Sequence, residues 1–142
     1  TDFSFSPKKN NNLVANRVQA GKRPRSSMTP TIIFSTSTNK PTLIIGSAGG
    51  SRIIGYVTQR IIDILYNNMS LEDAINSPHI LSRGGNVESE EQTFISDILI
   101  QKGHILNITP LASGLTAIHV NSEKNFIKGV SDPRRIGTAL GR

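Results

Sequence analysis

The chain has 142 residues, of which 36% are hydrophobic and 5% aromatic, with no cysteine and a net charge of +6. That length suits one domain with a modest core. The composition excludes disulfides and thiolate metal sites, and no run approaches the roughly 18 apolar residues of a membrane helix.

The first 25 residues read as irregular: Pro7, Lys8–Lys9 and Asn10 to Asn12 form a polar stretch without sustained period. A basic knot follows, GKRPRSS, from Gly21 to Ser27. "TPTIIFST" and "PTLIIGS" are short, β-branched and bounded by Pro, Gly and Ser, so they predict a hairpin joined through STNKP. Ser51 to Asn67 predicts an amphipathic helix with Ser51 as N-cap and an apolar face of Ile53, Ile54, Val57, Ile61, Ile64 and Leu65. SLED, Ser70 to Asp73, carries the N-cap signature of a second, shorter helix that Pro78 stops. SEEQ, Ser89 to Gln92, reads as a capping box opening a third helix, with Phe94, Ile95, Ile98 and Leu99 inward and Lys102–Gly103 at its end. HILNIT, TAIHVN and FIKGVS predict three strands, the last two paired around SEKN. The fold class is α+β, and antiparallel hairpins outnumber clear βαβ units, which argues against a doubly wound parallel sheet.

Two stretches carry candidate chemistry. GSAGGSR, starting at Gly46, places Gly49 and Gly50 between a strand and a helix start. Helix N-termini offer unpaired N–H groups and the positive end of the dipole, and glycine lets an anion approach closely. The stretch lacks the Gly-Lys-Ser/Thr ending of a P-loop; a plain strand–helix turn explains the same glycines. In KRPRSSM, the hydroxyls of Ser26 and Ser27 stand beside Lys22, Arg23 and Arg25, a combination suited to a carboxylate. A solvated basic loop is the simpler reading, and a nucleic-acid surface is disfavoured because no aromatic residues interleave. His79, His104 and His119 fit no metal-ligand spacing. The acidic run Glu88 to Gln92 reads as helix capping and dipole compensation. Arg52 faces either the site or the surface, and Asp132 and Arg134 are candidates to pair and fix the C-terminal loop.

The motifs GKRPRSSMTPTIIF and GSAGGSRII, with TDFS at Thr1 to Ser4 and SDPRR near the end, resemble the γ-glutamyltranspeptidase (glutathione hydrolase) family. The family pattern is Lys-Arg-Pro-x-Ser-Ser-Met-x-Pro followed by Gly-Ser-Pro-Gly-Gly-Ser-Arg-Ile, and the pieces occur in family order across the whole chain. Here Arg25 stands where the family usually has an apolar residue, Ala48 replaces a proline, and Thr1 stands where an aspartate is expected. The resemblance implies part of an N-terminal-nucleophile hydrolase αββα sandwich, with residues 1–142 as a single partial domain, the C-terminal part of a small subunit. Residues 1–25 would be a loop on the substrate side.

By resemblance, Asp2 binds the donor's α-amino group, Ser26 and Ser27 its α-carboxylate, and Gly49 and Gly50 supply oxyanion N–H groups. The implied substrate is glutathione or another γ-glutamyl compound, and the implied partners are an upstream small-subunit segment and the large subunit; no cofactor, metal or nucleic acid is implied. Family members are commonly exported or membrane-attached, which leaves the compartment of this chain open. The family's nucleophilic threonine opens a Thr-Thr-His motif that these 142 residues do not contain. Thr1 precedes no strand-like run and reads as a boundary, not as the nucleophile. The alternatives are a non-catalytic remnant or binding module of the same family and, from charge alone, a basic nucleic-acid binder.

Overall fold

The computed structural model describes residues 2–122 and 124–141. The N-terminal stretch holds one small ordered feature that its polar composition did not suggest. β1 (Lys8–Lys9) and β2 (Asn12–Leu13) pair antiparallel around Asn10 and Asn11. Those two asparagines have φ of 49° and 63°, the two consecutive left-handed residues that a tight hairpin turn requires and that asparagine tolerates.

The predicted hairpin is present as β3 (Thr31–Phe34) and β4 (Pro41–Gly46), with a register shift between Ile33 and Phe34. A single 3₁₀ turn, Gly50–Arg52, leads into α1 (Ile53–Leu65), and α2 (Leu71–Asn76) follows. β5 (Ile80–Ser82) and β6 (Val87–Ser89) come next, then α3 (Phe94–Gln101) and β7 (Leu106–Ile108). β8 (Thr116–Asn121) and β9 (Phe126–Ser131) close the fold as the second predicted hairpin.

The main sheet has the order β3-β4-β8-β9 and is antiparallel throughout. α1 and α2 cover one of its faces. There Leu43, Ile45 and Ala117 from the sheet meet Ile53, Tyr56 and Val57 of α1, Leu71 and Ile75 of α2, and Leu111 and Leu115 from the loop before β8. Alternation along the strands turns the intervening residues the other way: Ile32, Ile44, Ile118 and Gly129 form one row across the opposite face. Ile32 is 55% exposed and Ile118 40%. Thr138, Ala139 and Leu140 line the same apolar concavity from the C-terminal segment. A smaller sheet, β5-β6-β7, contains a parallel pair, β6 with β7, connected through α3.

Expectations for the caps and faces of two helices need correction. Ser51 is not the cap of α1: Arg52 holds the N-cap position without a side-chain bond, and the Ser51 hydroxyl instead accepts from Arg83 Nη1 at 2.8 Å. Ile54 and Leu65 lie on the exposed side of α1, whose buried face is Ile53, Tyr56, Val57 and Arg60. The third helix is opened not by Ser89 but by Thr93, which exchanges capping-box hydrogen bonds with Ser96; Phe94 and Ile95 are exposed. Ser89 ends β6 and is fully buried, donating to Glu91 O. The second helix starts as the sequence indicates, with the Ser70 hydroxyl accepting from Asp73 N at 3.1 Å.

Candidate active site

The site forms where β4 gives way to α1. Gly49 has φ 133° and Gly50 φ 60°, so the chain turns through two conformations that residues with a Cβ avoid. The two glycines differ in their surroundings. A Cβ at Gly49 would lie 2.5 Å from Cε2 of Tyr56 and 3.5 Å from Ala112 O, whereas a Cβ at Gly50 would meet nothing within 4 Å. Gly49 is therefore packed between an aromatic ring and a neighbouring loop, and Gly50 faces open space. Neither amide donates to a described residue, which leaves two N–H groups at the entry of a helix available to an acceptor.

The N-terminal segment and the basic knot arrive at the same place. Asp2, Ser4, Asn16, Arg25, Ser27, Gly50 and Ser51 line a cleft of about 300 Å³. Asp2 and Arg25 are bridged through the backbone, with Asp2 N donating to Arg25 O at 3.3 Å. Asn16 pins both strands of this contact, donating from Nδ2 to Asp2 O and accepting from Arg25 N. The Ser27 hydroxyl donates to Gly50 O at 2.6 Å, tying the serine pair directly to the glycine turn. Ser26 accepts from Met28 N at 3.4 Å. Of the five candidate residues, Asp2, Ser27 and Gly50 share the cleft; Ser26 and Gly49 flank it in sequence. Thr1, weighed and set aside as a nucleophile, lies outside the described residues.

The acidic run does not compensate a helix dipole. Glu88 takes two bonds from Arg52, at 2.8 and 2.6 Å, and lies 3.3 Å from Arg83. The Arg52 guanidinium holds the Glu88 carboxyl down at about 2. Since Arg83 also reaches Ser51, this cluster fastens the 50–52 turn to the β5–β6 hairpin. Glu90 grips Arg134 bidentately, with both bonds at 2.6 Å. Arg134 in turn lies 3.1 Å from Asp132, so the expected pairing of these two is present. Arg134 also donates to Ile75 O and Ser77 O, satisfying carbonyls at the end of α2.

Sequence reading missed the buried polar group behind the turn. His79 is fully buried, with Nε2 2.9 Å from the Ser113 hydroxyl and its ring 4.2 Å from that of Tyr56. The Ser113 hydroxyl donates to Asp132 Oδ2, so the ring nitrogen facing Ser113 carries the proton. Burial, reinforced by Arg60 and Arg134, pushes His79 down to about 4 and keeps it neutral. Nothing in the local sequence marks His79 or Ser113 as partners, since 34 positions separate them.

The sequence profile of the gamma-glutamyltranspeptidase family matches residues 1–142. The chain belongs to the γ-glutamyltranspeptidase family. It is 37% identical over 131 residues to the glutathione hydrolase proenzyme of Bacillus subtilis (strain 168), covering 89% of this chain and 22% of that protein. The acylase ACY 1 proenzyme of Pseudomonas sp. (strain V22) is 29% identical over 126 residues, covering 87% of this chain and 22% of the relative. Among solved structures, a mutant of Helicobacter pylori gamma-glutamyltranspeptidase superposes with a TM-score of 0.77 at 31% identity, covering 94% of this chain and 77% of that one. The fold is accordingly α+β and part of the N-terminal-nucleophile hydrolase sandwich, and the chain spans about a fifth of the Bacillus relative's length.

Proposed function

We propose that this chain is the C-terminal part of the small subunit of a γ-glutamyltranspeptidase, and that it supplies the donor-binding and oxyanion elements of glutathione hydrolysis or γ-glutamyl transfer. The observation that carries the reading is the convergence of Asp2, Ser27 and Gly50 on one cleft, beside two backbone amides without a described acceptor.

In this reading the Asp2 carboxylate binds the donor's α-ammonium. Ser26 and Ser27 donate to its α-carboxylate, and the Ser27 hydroxyl rotates from Gly50 O to do so. A threonine hydroxyl from an upstream segment of the small subunit attacks the γ-carbonyl carbon while its proton passes to that threonine's own α-amine, which later gives it to the leaving amine. The carbonyl π electrons move to oxygen, and the Gly49 and Gly50 amides stabilise that oxyanion. Collapse expels the amine, which takes up a proton, and leaves a γ-glutamyl ester. Water or an amine acceptor then attacks the ester and returns the threonine hydroxyl. The outward row of exposed Ile32 and Ile118 with half-buried Ile44 between them receives the second sheet, formed by the upstream segment and the large subunit.

The test is release of chromophore from a γ-glutamyl anilide. The complete protein turns the anilide over, and the 142-residue chain alone does not. Turnover by the chain alone that Thr1→Ala abolishes would move the nucleophile to Thr1. No turnover by the complete protein would favour the reading of a non-catalytic family member.

A further inference from the structure

The proposed oxyanion turn has two walls, and both lead to one buried side chain. The first wall is Tyr56, one turn into α1, whose ring edge lies where a Gly49 Cβ would be. The second is the loop before β8: Ala112 O lies 3.5 Å from that same Cβ position, Gly114 O accepts from Ala48 N at 3.2 Å, and Gly114 N donates to Ser47 Oγ at 3.3 Å. His79 touches both. Its ring lies against Tyr56 with centroids 4.2 Å apart and planes tilted by 37°, and its Nε2 bonds Ser113 between Ala112 and Gly114.

His79 is itself held from several sides. Its backbone N–H donates to Glu90 Oε2 at 2.8 Å, and Glu90 is fixed by Arg134. Ser113 cannot swing away, because its hydroxyl is bound to Asp132 and Asp132 Oδ2 also accepts from Leu115 N at 2.9 Å. His79 is thus a fixed post from which one contact sets the Tyr56 ring and another sets the Ala112–Gly114 loop. Tyr56 has no hydrogen bond to a described residue through its hydroxyl, so the ring face and edge carry its role.

We infer that Tyr56 and His79 are positioning residues, which together fix the height and tilt of the Gly49–Gly50 turn. The inference rests on the oxyanion reading for its effect on rate, but not for its effect on the turn. Neither side chain touches substrate. A donor amide displaced by a fraction of an ångström from a developing oxyanion loses transition-state stabilisation while ground-state binding at Asp2 and the serines is kept.

The experiment uses the complete protein with Tyr56→Phe, Tyr56→Leu, His79→Gln and Ser113→Ala. Each is read by γ-glutamyl anilide kinetics and by hydrogen exchange of the peptide covering residues 46–53. Tyr56→Phe keeps the ring and behaves as the parent. Tyr56→Leu removes the wall: exchange across 46–53 accelerates while the β8–β9 hairpin stays protected, and kcat falls about tenfold or more with KM within about twofold. His79→Gln and Ser113→Ala give the same pattern more weakly, and they carry the readout if Tyr56→Leu does not accumulate. Unchanged exchange at 46–53, acceleration spread uniformly over the chain, or a Tyr56→Phe variant as impaired as Tyr56→Leu would each overturn the inference. If the parent has no γ-glutamyl activity, the proposed function fails and the exchange arm still decides the positioning role.

Discussion

Replacing each of the two glycines by alanine separates what the turn needs mechanically from what it does chemically. At Gly49 the φ of 133° places an alanine in a sparsely populated region, at a cost of roughly 1–3 kcal/mol. The new methyl group would also overlap the Tyr56 ring, 2.5 Å from Cε2. That ring is wedged against His79 and cannot retreat freely, so overpacking adds roughly 1–3 kcal/mol. Gly49→Ala is expected to destabilise by about 2–6 kcal/mol in total. At Gly50 the φ of 60° also strains an alanine, but the methyl meets nothing, so only the backbone cost of roughly 1–3 kcal/mol remains.

Thermal melts of the two variants in the complete protein, side by side with the parent, test this ordering. Gly49→Ala melts far below the parent or fails to accumulate, and Gly50→Ala melts between the two. Gly50→Ala is then stable enough to assay. Twisting φ there re-aims the free amides, so kcat falls at least tenfold, short of the roughly 10²–10³ that loss of a whole oxyanion donor costs. A Gly49→Ala protein that melts with the parent would refute the packing argument. A folded Gly50→Ala protein with parental kcat would reduce the glycines to a strand–helix turn.

Ser26→Ala combined with Ser27→Ala raises the donor KM at least tenfold, since hydrogen bonds to a charged group are worth about 1.5–3 kcal/mol each; unchanged kinetics would make the serines turn residues only. Ser27→Ala alone raises KM and leaves kcat near the parent's, because its hydroxyl leaves Gly50 O when the donor is bound, and a large loss of kcat would contradict that rotation. The isolated chain melts broadly and binds a hydrophobic dye, because Ile32, Phe34, Ile118 and Ile127 are all at least 40% exposed; a sharp, concentration-independent melt would show a self-sufficient domain. His79 titrates near 4 in the folded protein against 6.5 unfolded, so the unfolded chain binds the extra proton between those values. Stability is therefore lost as pH falls from about 6.5 toward 4, by about 3 kcal/mol from this residue. Melts across that range show a shallower pH dependence in His79→Gln than in the parent; identical slopes would show that His79 is not held neutral.

How much of this could be read from sequence depended on how local the governing interactions are. The β3–β4 and β8–β9 hairpins and the Ser70 cap were legible because strand alternation and capping are short-range. Ser51 and Ser89 carried the same kind of cap signal, yet neither caps a helix. Arg83 claims the Ser51 hydroxyl from 32 positions away, and pairing of Ser89 with Ile80 and Ile108 draws it into a sheet. Glu88 and Glu90 looked like helix-start carboxylates until Arg52 and Arg134, both distant in sequence, supplied their partners. In the cleft, the contact of Ser27 with Gly50 was suggested only by the order of family motifs. Tyr56 was not among the apolar helix positions that the sequence singled out, since periodicity reports which face is buried but not what a ring is pressed against.

The order of strands in the main sheet also bears on how the chain reaches this structure. β3–β4 and β8–β9 are local pairs that can zip independently around short turns. Their union requires β4 to meet β8, with Leu43 opposite His119, which closes a loop of roughly seventy residues before any reward from the shared core. Two preformed ribbons that dock late make the central seam of the sheet the slow step of folding. A mutation on that seam, such as Ile45→Ala, should then slow folding more than an equally destabilising change at the outer edge of β9.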